Sequence, residues 1–215
     1  MKGIMLLNGE PHAGEIPCGD AYVLCCDGAY AWAKGRVRIN ENIGDYDSSD
    51  DVPDPPPSEI YPSEKDYTDG EIGMRRLLAL GCCPIEIYGG GGGREDHFLG
   101  NVHLLYIASQ MGVPARLHTN GAVIFLAKGY AAIARESGIR EIEGLTVSLL
   151  PFGGEARISD GEGLYYPVGG RTLRYGSTLG ISNLITDNGA WFVCESGTVL
   201  TLLDRDRQEK KKIPG

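Results

Sequence analysis

Up to about residue 120 the chain alternates short apolar runs with stretches of helical period, and beyond that point the alternation stops. No other feature limits the fold as strongly. "GIMLLN", "AYVLCCDG", "CPIEIYGG" and "PARLHTNG" each read as a buried strand ending in a polar or glycine-rich turn. Between them, "TDGEIGMRRLLALG" carries Met74, Leu77 and Leu78 at helical spacing. It opens on Thr68 with Glu71 three positions later, a capping-box signature, and Gly81 closes it. "DHFLGNVHLLYIASQMG" repeats the scheme with Leu99, Val102 and Tyr106. Strands alternating with helices predict a mainly parallel sheet with flanking helices, a Rossmann-like α/β domain over residues 1–120. In such sheets ligands gather beyond the carboxyl ends of the strands.

From 121 to 215 the pattern is different. Turn signals recur at Gly153-Gly154, Asp160-Gly161, Gly169-Gly170, Asn188-Gly189 and Ser196-Gly197. Between them lie "LTVSLLPF", "GLYYPV", "AWFVCE" and "TVLTLL", which predict an antiparallel β-sandwich domain. The tail "DRDRQEKKKIPG" reads as a solvated charge run. "DVPDPPPSEIYPSEK", residues 51–65, reads as a proline-rich surface excursion from the first half.

A formal charge of -9 argues against a surface that coats nucleic acid. No stretch approaches the roughly 18 apolar residues of a membrane span. The opening "MKGIMLLNGEP" is too short for a secretory signal, so a cytoplasmic protein is expected. The six cysteines show no CxxC spacing and read as reduced core residues rather than zinc ligands.

"YGGGGGREDHFLGN", Tyr88 to Asn101, poses the central question. A Walker A loop needs Lys and then Ser or Thr after its glycines, and here Arg94, Glu95 and Asp96 follow. A GxGxxG match inside a glycine run carries almost no information. What remains is a strand, bare backbone, and Asp96 at the expected N-cap of a helix, a setting that attracts anions. Arg94 adds a fork suited to phosphate oxygens. The alternative is a flexible joint with Asp96 merely capping.

Acidic clusters bear on the choice. An acidic protein that binds a polyphosphate needs a divalent cation between its carboxylates and the ligand. "NIGDYDSSDD" sets Asp45 and Asp47 two residues apart, on one side of an extended segment, as a pair of hard oxygen ligands. "EKDYTDGE" supplies Lys65, Asp66, Thr68 and Asp69 at a helix entry, and Asp27 follows the second strand. Each alone also fits an ordinary Asp-rich turn.

Taken together, "CDGAYAW", "NIGDYDSS", "EKDYTDGE", "GGGGREDHFLGNVHLL", "GLYYPV" and "GSTLGISN" resemble the thiamine pyrophosphokinase family, in order and over most of the chain. The resemblance implies an α/β domain followed by a β-sandwich domain, and a homodimer with active sites at its interface. It implies transfer of the β,γ-diphosphate of ATP to the hydroxyl of thiamine, with AMP released. It marks Asp45, Asp47 and Asp69 as Mg2+ ligands, and Asp27 as a residue close to metal and substrate. Thr68, Arg94 and Asp96 would lie along the nucleotide, and Arg94 would stabilise charge as AMP departs. His97 and Asn101, four apart on one helix, share a face near that site; for His97 a structural hydrogen-bonded role stays open. Asp69 is a possible acceptor of the hydroxyl proton. Ser182 and Asn183 of "GISN" match the segment that meets thiamine at the partner chain's site.

Two departures stand out. The first motif commonly has two glycines after its Asp, whereas "DGAY" has one, which predicts reduced backbone room. Tyr46 replaces the commoner Phe between the paired aspartates, with little consequence expected. Trp32 and Trp191 are candidates for stacking on a ligand, against their ordinary reading as core fillers. The rival readings are a diphosphokinase acting on a pterin alcohol and a nucleotide sensor without turnover.

Overall fold

The computed structural model describes residues 1–44, 53–57, 59–60 and 66–205. The chain divides into two compact units, Met1–Asn120 and Gly121–Gly215.

In the first unit, β1 (Gly3–Leu6), β2 (Tyr22–Cys26), β3 (Glu41–Gly44), β4 (Glu59–Ile60), β5 (Ile85–Tyr88) and β6 (Ala115–His118) pair in parallel. Their order is β6-β5-β1-β2-β3-β4. β1 is buried at every position and reads as a continuous apolar run, whereas β3 and β5, equally buried, carry the polar residues Glu41, Asn42 and Glu86. The chain steps outward from β1 to β4 and then returns to place β5 on the other side of β1. That reversal is a topological switch point, where a crevice opens beyond the strand ends.

Three helices accompany the sheet: α1 (Ala29–Ala33), α2 (Asp69–Ala79) and α3 (Glu95–Gln110). Thr68 caps α2 as its sequence predicts, its Oγ1 accepting from the Glu71 N–H at 3.2 Å. α2 lies close on the sheet: a Cβ on Gly73 would stand 2.9 Å from Leu24 and 3.1 Å from the Met5 sulfur. In α3 the buried stripe is Val102, Leu104, Leu105 and Ala108. Leu99 and Tyr106, expected on that stripe, are exposed. One apolar residue per turn was too sparse a sample to fix the direction of the face.

Where it is described, the proline-rich segment is a surface excursion only in part, with Asp54 and Pro56 exposed. Pro53 is buried, the Asn42 side-chain amide donates to Pro55 O at 2.7 Å, and Glu59–Ile60 form the edge strand β4.

The second unit is antiparallel. β7 (Ala122–Ala132) is followed by α4 (Ile133–Ser137), β8 (Thr146–Pro151), β9 (Ala156–Glu162), β10 (Arg171–Leu173), β11 (Asn183–Leu184) and β12 (Trp191–Asp204). β12 pairs with β7 along its length, with β9 through Trp191–Ser196 and with β8 through Val199–Leu203. β10 pairs with β9, and β11 with β8. Phe125, Val147, Leu149, Ile158, Phe192 and Leu203 belong to its core.

Here the sequence expectations need three corrections. "AWFVCE" and "TVLTLL" are one strand, and Ser196-Gly197 marks a register shift instead of a turn. Gly197 is left-handed there (φ +80), and a Cβ would strike Glu155 O. Asp160-Gly161 lies inside β9. "GLYYPV" forms no strand, and only Leu164 makes an isolated bridge, to Ile185. No helix among the described residues is long and apolar enough to cross a membrane.

Candidate active site

The ladder between β1 and β5 does not stop where the strands stop. Leu7 N–H donates to Tyr88 O at 2.9 Å, Gly9 N–H to Gly89 O at 2.7 Å and Glu10 N–H to Gly91 O at 2.6 Å. The Asn101 amide takes the carbonyl in between, donating to Gly90 O at 2.9 Å. Three consecutive glycine carbonyls are therefore held. Gly89 is left-handed (φ +71) and a Cβ would run into Leu7 O and, at 2.7 Å, the Trp32 ring. At Gly91 a Cβ would meet Thr119 Cγ2 at 2.7 Å. From Gly89 to Gly91 the run is packed, and the flexible-joint reading fails there. Gly92 and Gly93 are exposed and lead into α3.

Under this loop sits a buried polar group that the sequence reading missed. The Glu86 carboxylate takes Arg116 Nη1 at 2.5 Å and His118 Nε2 at 2.6 Å from the neighbouring strand. His118 stacks on Tyr88 at 4.6 Å between ring centres, and His12 meets Tyr88 edge-on at 5.0 Å. Burial alone would raise the Glu86 carboxyl, but the contacts from His118 and Arg116 outweigh it and hold the group below its ordinary range.

At the start of α3 the N-cap is Arg94, whose side chain makes no capping bond. Asp96, expected as the cap, is the second helical residue, and its Oδ1 accepts from the N–H of His97 at 2.9 Å. The helix begins two residues earlier than an Asp96 cap would set it. Arg94 forks onto Asp96 at 3.1 and 2.6 Å with both side chains largely exposed (71% and 64%). The hydrogen bond from Arg94 holds the Asp96 carboxyl below its usual range, and Asp96 in return raises Arg94. An ion pair this exposed adds little to stability, so the guanidinium is open to exchange for a phosphate.

The acidic turns adjoin one another. Asp27 is left-handed (φ +41), donates its N–H to Ile43 O at 2.6 Å, and packs so closely on Gly44 that a Cβ there would lie 2.8 Å from its own. Asp69 opens α2 and its carbonyl accepts the Cys26 thiol at 3.6 Å, so α2 starts beside the end of β2. Asn101 bridges onward: Gly70 would place a Cβ 3.6 Å from Asn101 Oδ1. Asp45 and Asp47 lie outside the described residues; the chain reaches them from Gly44, against Asp27. Among the described residues no group of three metal-ligating side chains forms. Asp27 and Asp69 are nevertheless hard oxygen donors on adjoining turns, of the kind Mg2+ takes.

His97 is exposed, while Asn101 is partly buried and tied to the glycine run, so their shared face carries two different environments. Thr68 Oγ1 uses one of its two lone pairs on the α2 cap. The "DGAY" departure costs no room in the cleft, because Ala29 is fully buried in the core beside Ala33 and Tyr88. Trp32 is a structural residue: its indole N–H donates to Leu7 O at 3.1 Å and its ring meets Arg36. In the second unit Ser182 is exposed at φ +57, with its N–H on Ser148 Oγ at 3.0 Å. Asn183 is buried and donates to Tyr166 O while accepting from the Tyr166 N–H. Its side chain thus holds a loop in shape. Trp191 is partly buried against Tyr130, 5.6 Å between ring centres.

The catalytic-domain model of thiamin pyrophosphokinase matches residues 19–117, and its vitamin B1 binding domain model matches 133–199. The thiamine pyrophosphokinase of Bacillus subtilis (strain 168) is 30% identical over 152 residues, 70% of this chain and 69% of that protein. The chain belongs to the thiamine pyrophosphokinase family. Thiamine pyrophosphokinase 1 of Oryza sativa subsp. japonica is 27% identical over 119 residues, 55% of this chain and 44% of that one. The crystal structure of the Bacillus subtilis thiamine pyrophosphokinase superposes with a TM-score of 0.79, covering 95% of this chain and all (100%) of that one, at 24% identity. The thiamin pyrophosphokinase of Candida albicans gives 0.73 at 19% identity, covering 95% and 89%. Within this family, the packed glycine loop and the adjoining acidic turns fall in the part matched by the catalytic-domain model.

Proposed function

We propose that the chain is a thiamine diphosphokinase, moving the β,γ-diphosphate of ATP onto the primary hydroxyl of thiamine and releasing AMP. The observation that carries this is the pair of family matches, catalytic and vitamin B1 binding, one in each unit. The second match favours thiamine over a pterin alcohol, and the acidic turns favour an enzyme over a sensor.

In the step itself the hydroxyl oxygen forms a bond to the β-phosphorus. The bond from that phosphorus to the oxygen bridging it to the α-phosphate breaks, and AMP keeps that oxygen. The hydroxyl proton leaves to a base, for which Asp69 is our candidate. The protein's task is then positioning and charge neutralisation. Asp45, Asp47 and Asp69 would hold Mg2+, with Asp27 beside them, and the bound cation would offset phosphate charge in an acidic cleft. Arg94, released from Asp96, would neutralise charge on the departing AMP. Thr68, Asp96, His97 and Asn101 complete the nucleotide site in this reading, Asn101 through its hold on Gly90.

The parallel order around the switch point supports a Rossmann-like first domain, and the shared strand β12 supports a sandwich in the second. Ser182 is the candidate thiamine contact, with Asn183 positioning its surroundings. The exposed side chains of Tyr166, Tyr175, Leu179 and Ile181 around it support a homodimer with shared sites, because apolar surface of that density marks an interaction site. Cysteines without disulfides agree with a cytoplasmic location.

The deciding assay incubates purified protein with ATP, Mg2+ and thiamine, and measures AMP and thiamine diphosphate. Both should appear in equal amounts. AMP formed only with a pterin alcohol, or tight ATP binding without AMP, would overturn the proposal.

A further inference from the structure

The carboxyl ends of β1, β2 and β3 make one row of contacts, and its first member is a residue with no role so far. The Asn8 carboxamide lies over Gly28, where a Cβ would strike Asn8 Nδ2 and come within 2.7 Å of its Cγ and 2.9 Å of its Oδ1. Gly28 follows Asp27, which packs in turn on Gly44. On its other side Asn8 is bracketed by Leu7 and Gly9, whose N–H groups are bonded to Tyr88 and Gly89. Asn8 therefore stands between the acidic turns and the glycine run, at the switch point, on a backbone held from both sides. The residue itself is exposed.

We propose that the Asn8 carboxamide binds the phosphates of the nucleotide, an inference that rests on the diphosphokinase reading. The one charged side chain shown in this row, Asp27, is a carboxylate, which repels phosphate oxygens in the absence of a cation. A carboxamide supplies two N–H donors without charge, and donors to ionised acceptors make the stronger hydrogen bonds. The lone glycine of "DGAY" has a purpose in this arrangement: any side chain at position 28 would displace the amide, whereas Ala29 points into the core and leaves it alone.

The test is ATP binding with Mg2+ and without thiamine, by titration calorimetry, on the natural chain and on Asn8→Ala and Asn8→Asp. Asn8→Asp keeps the shape over Gly28 and exchanges the donor for a negative charge. The loss of one hydrogen bond to a charged group predicts ATP affinity about tenfold lower or more in Asn8→Ala. Asn8→Asp should lose more than that, with its melting temperature unchanged. A role confined to packing on Gly28 gives the opposite order, with Asn8→Asp near the natural chain, and that result would overturn the proposal. If the natural chain binds ATP but makes no AMP from thiamine, the thiamine reading falls. The affinity series still decides the part played by Asn8.

Discussion

Asn183 grips Tyr166 at both backbone groups, its Nδ2 donating to the carbonyl at 2.8 Å and its Oδ1 accepting the N–H at 2.9 Å. The pair behaves like one rung of a ladder, built from a side chain of β11 onto the Tyr166 stretch, which has no strand of its own. Asn183→Ala should cost about 2 kcal/mol, the combined worth of two buried hydrogen bonds. Asn183→Asp should cost more, since it turns an acceptor toward Tyr166 O. Urea unfolding measures both, and the KM for thiamine should rise in each while the KM for ATP stays.

The Glu86 cluster sets an acid limit on stability. Its carboxyl sits below the unfolded value when folded, so the stabilisation is fully present above the ordinary glutamate range. It is lost as pH falls through the lowered folded value. Glu86→Gln should cost about 3 kcal/mol near neutral pH, as breaking a buried pair does. Its stability should then vary less than that of the natural chain as pH drops into the acid range. Melting curves across that range check the slope.

The glycines should differ sharply in tolerance. Gly93→Ala meets nothing within 4 Å and should cost only the left-handed penalty, about 1 kcal/mol. Gly89→Ala adds a collision with Leu7 O and should cost several times as much, or fail to fold. Equal stability of the two variants would disprove the packed loop.

Asp47→Asn and Asp69→Asn should keep the melting temperature of the natural chain within a few degrees, because Asn keeps the size and shape of Asp. Both should abolish nearly all Mg2+-dependent AMP formation. Near-normal turnover in either variant removes that residue from the metal site.

For the proposed dimer, sedimentation should give twice the 23.1 kDa chain mass. Ile181→Glu, at an exposed apolar position, should shift the species to the monomer and weaken thiamine use. A monomeric natural chain with full activity would exclude shared sites.

Much of the first unit was readable from the chain because its signals are local. β1 and nearly all of β2 are buried and so appear as apolar runs, and the α2 cap is written in Thr68 and Glu71. The second unit was harder. A glycine after Ser196 looks the same in sequence whether it ends a strand or bulges one, and only the approach of Glu155 decides. Among site residues, Asp27 and Asp69 were visible as acidic motifs, and the structure adds that their turns adjoin. Asn8 was not visible, because its place depends on β5 returning beside β1, a fact about strand order that no window of sequence holds. The Glu86–His118 contact is hidden for the same reason, its partners standing 32 positions apart.

Because the single strand β12 serves as neighbour to β7, β8 and β9, the second unit has no smaller piece that keeps its edges satisfied. A frameshift that erases Trp191–Asp204 would strip a neighbour from three strands at once. Damage there should register as outright loss of the unit and never as a trimmed, half-working form.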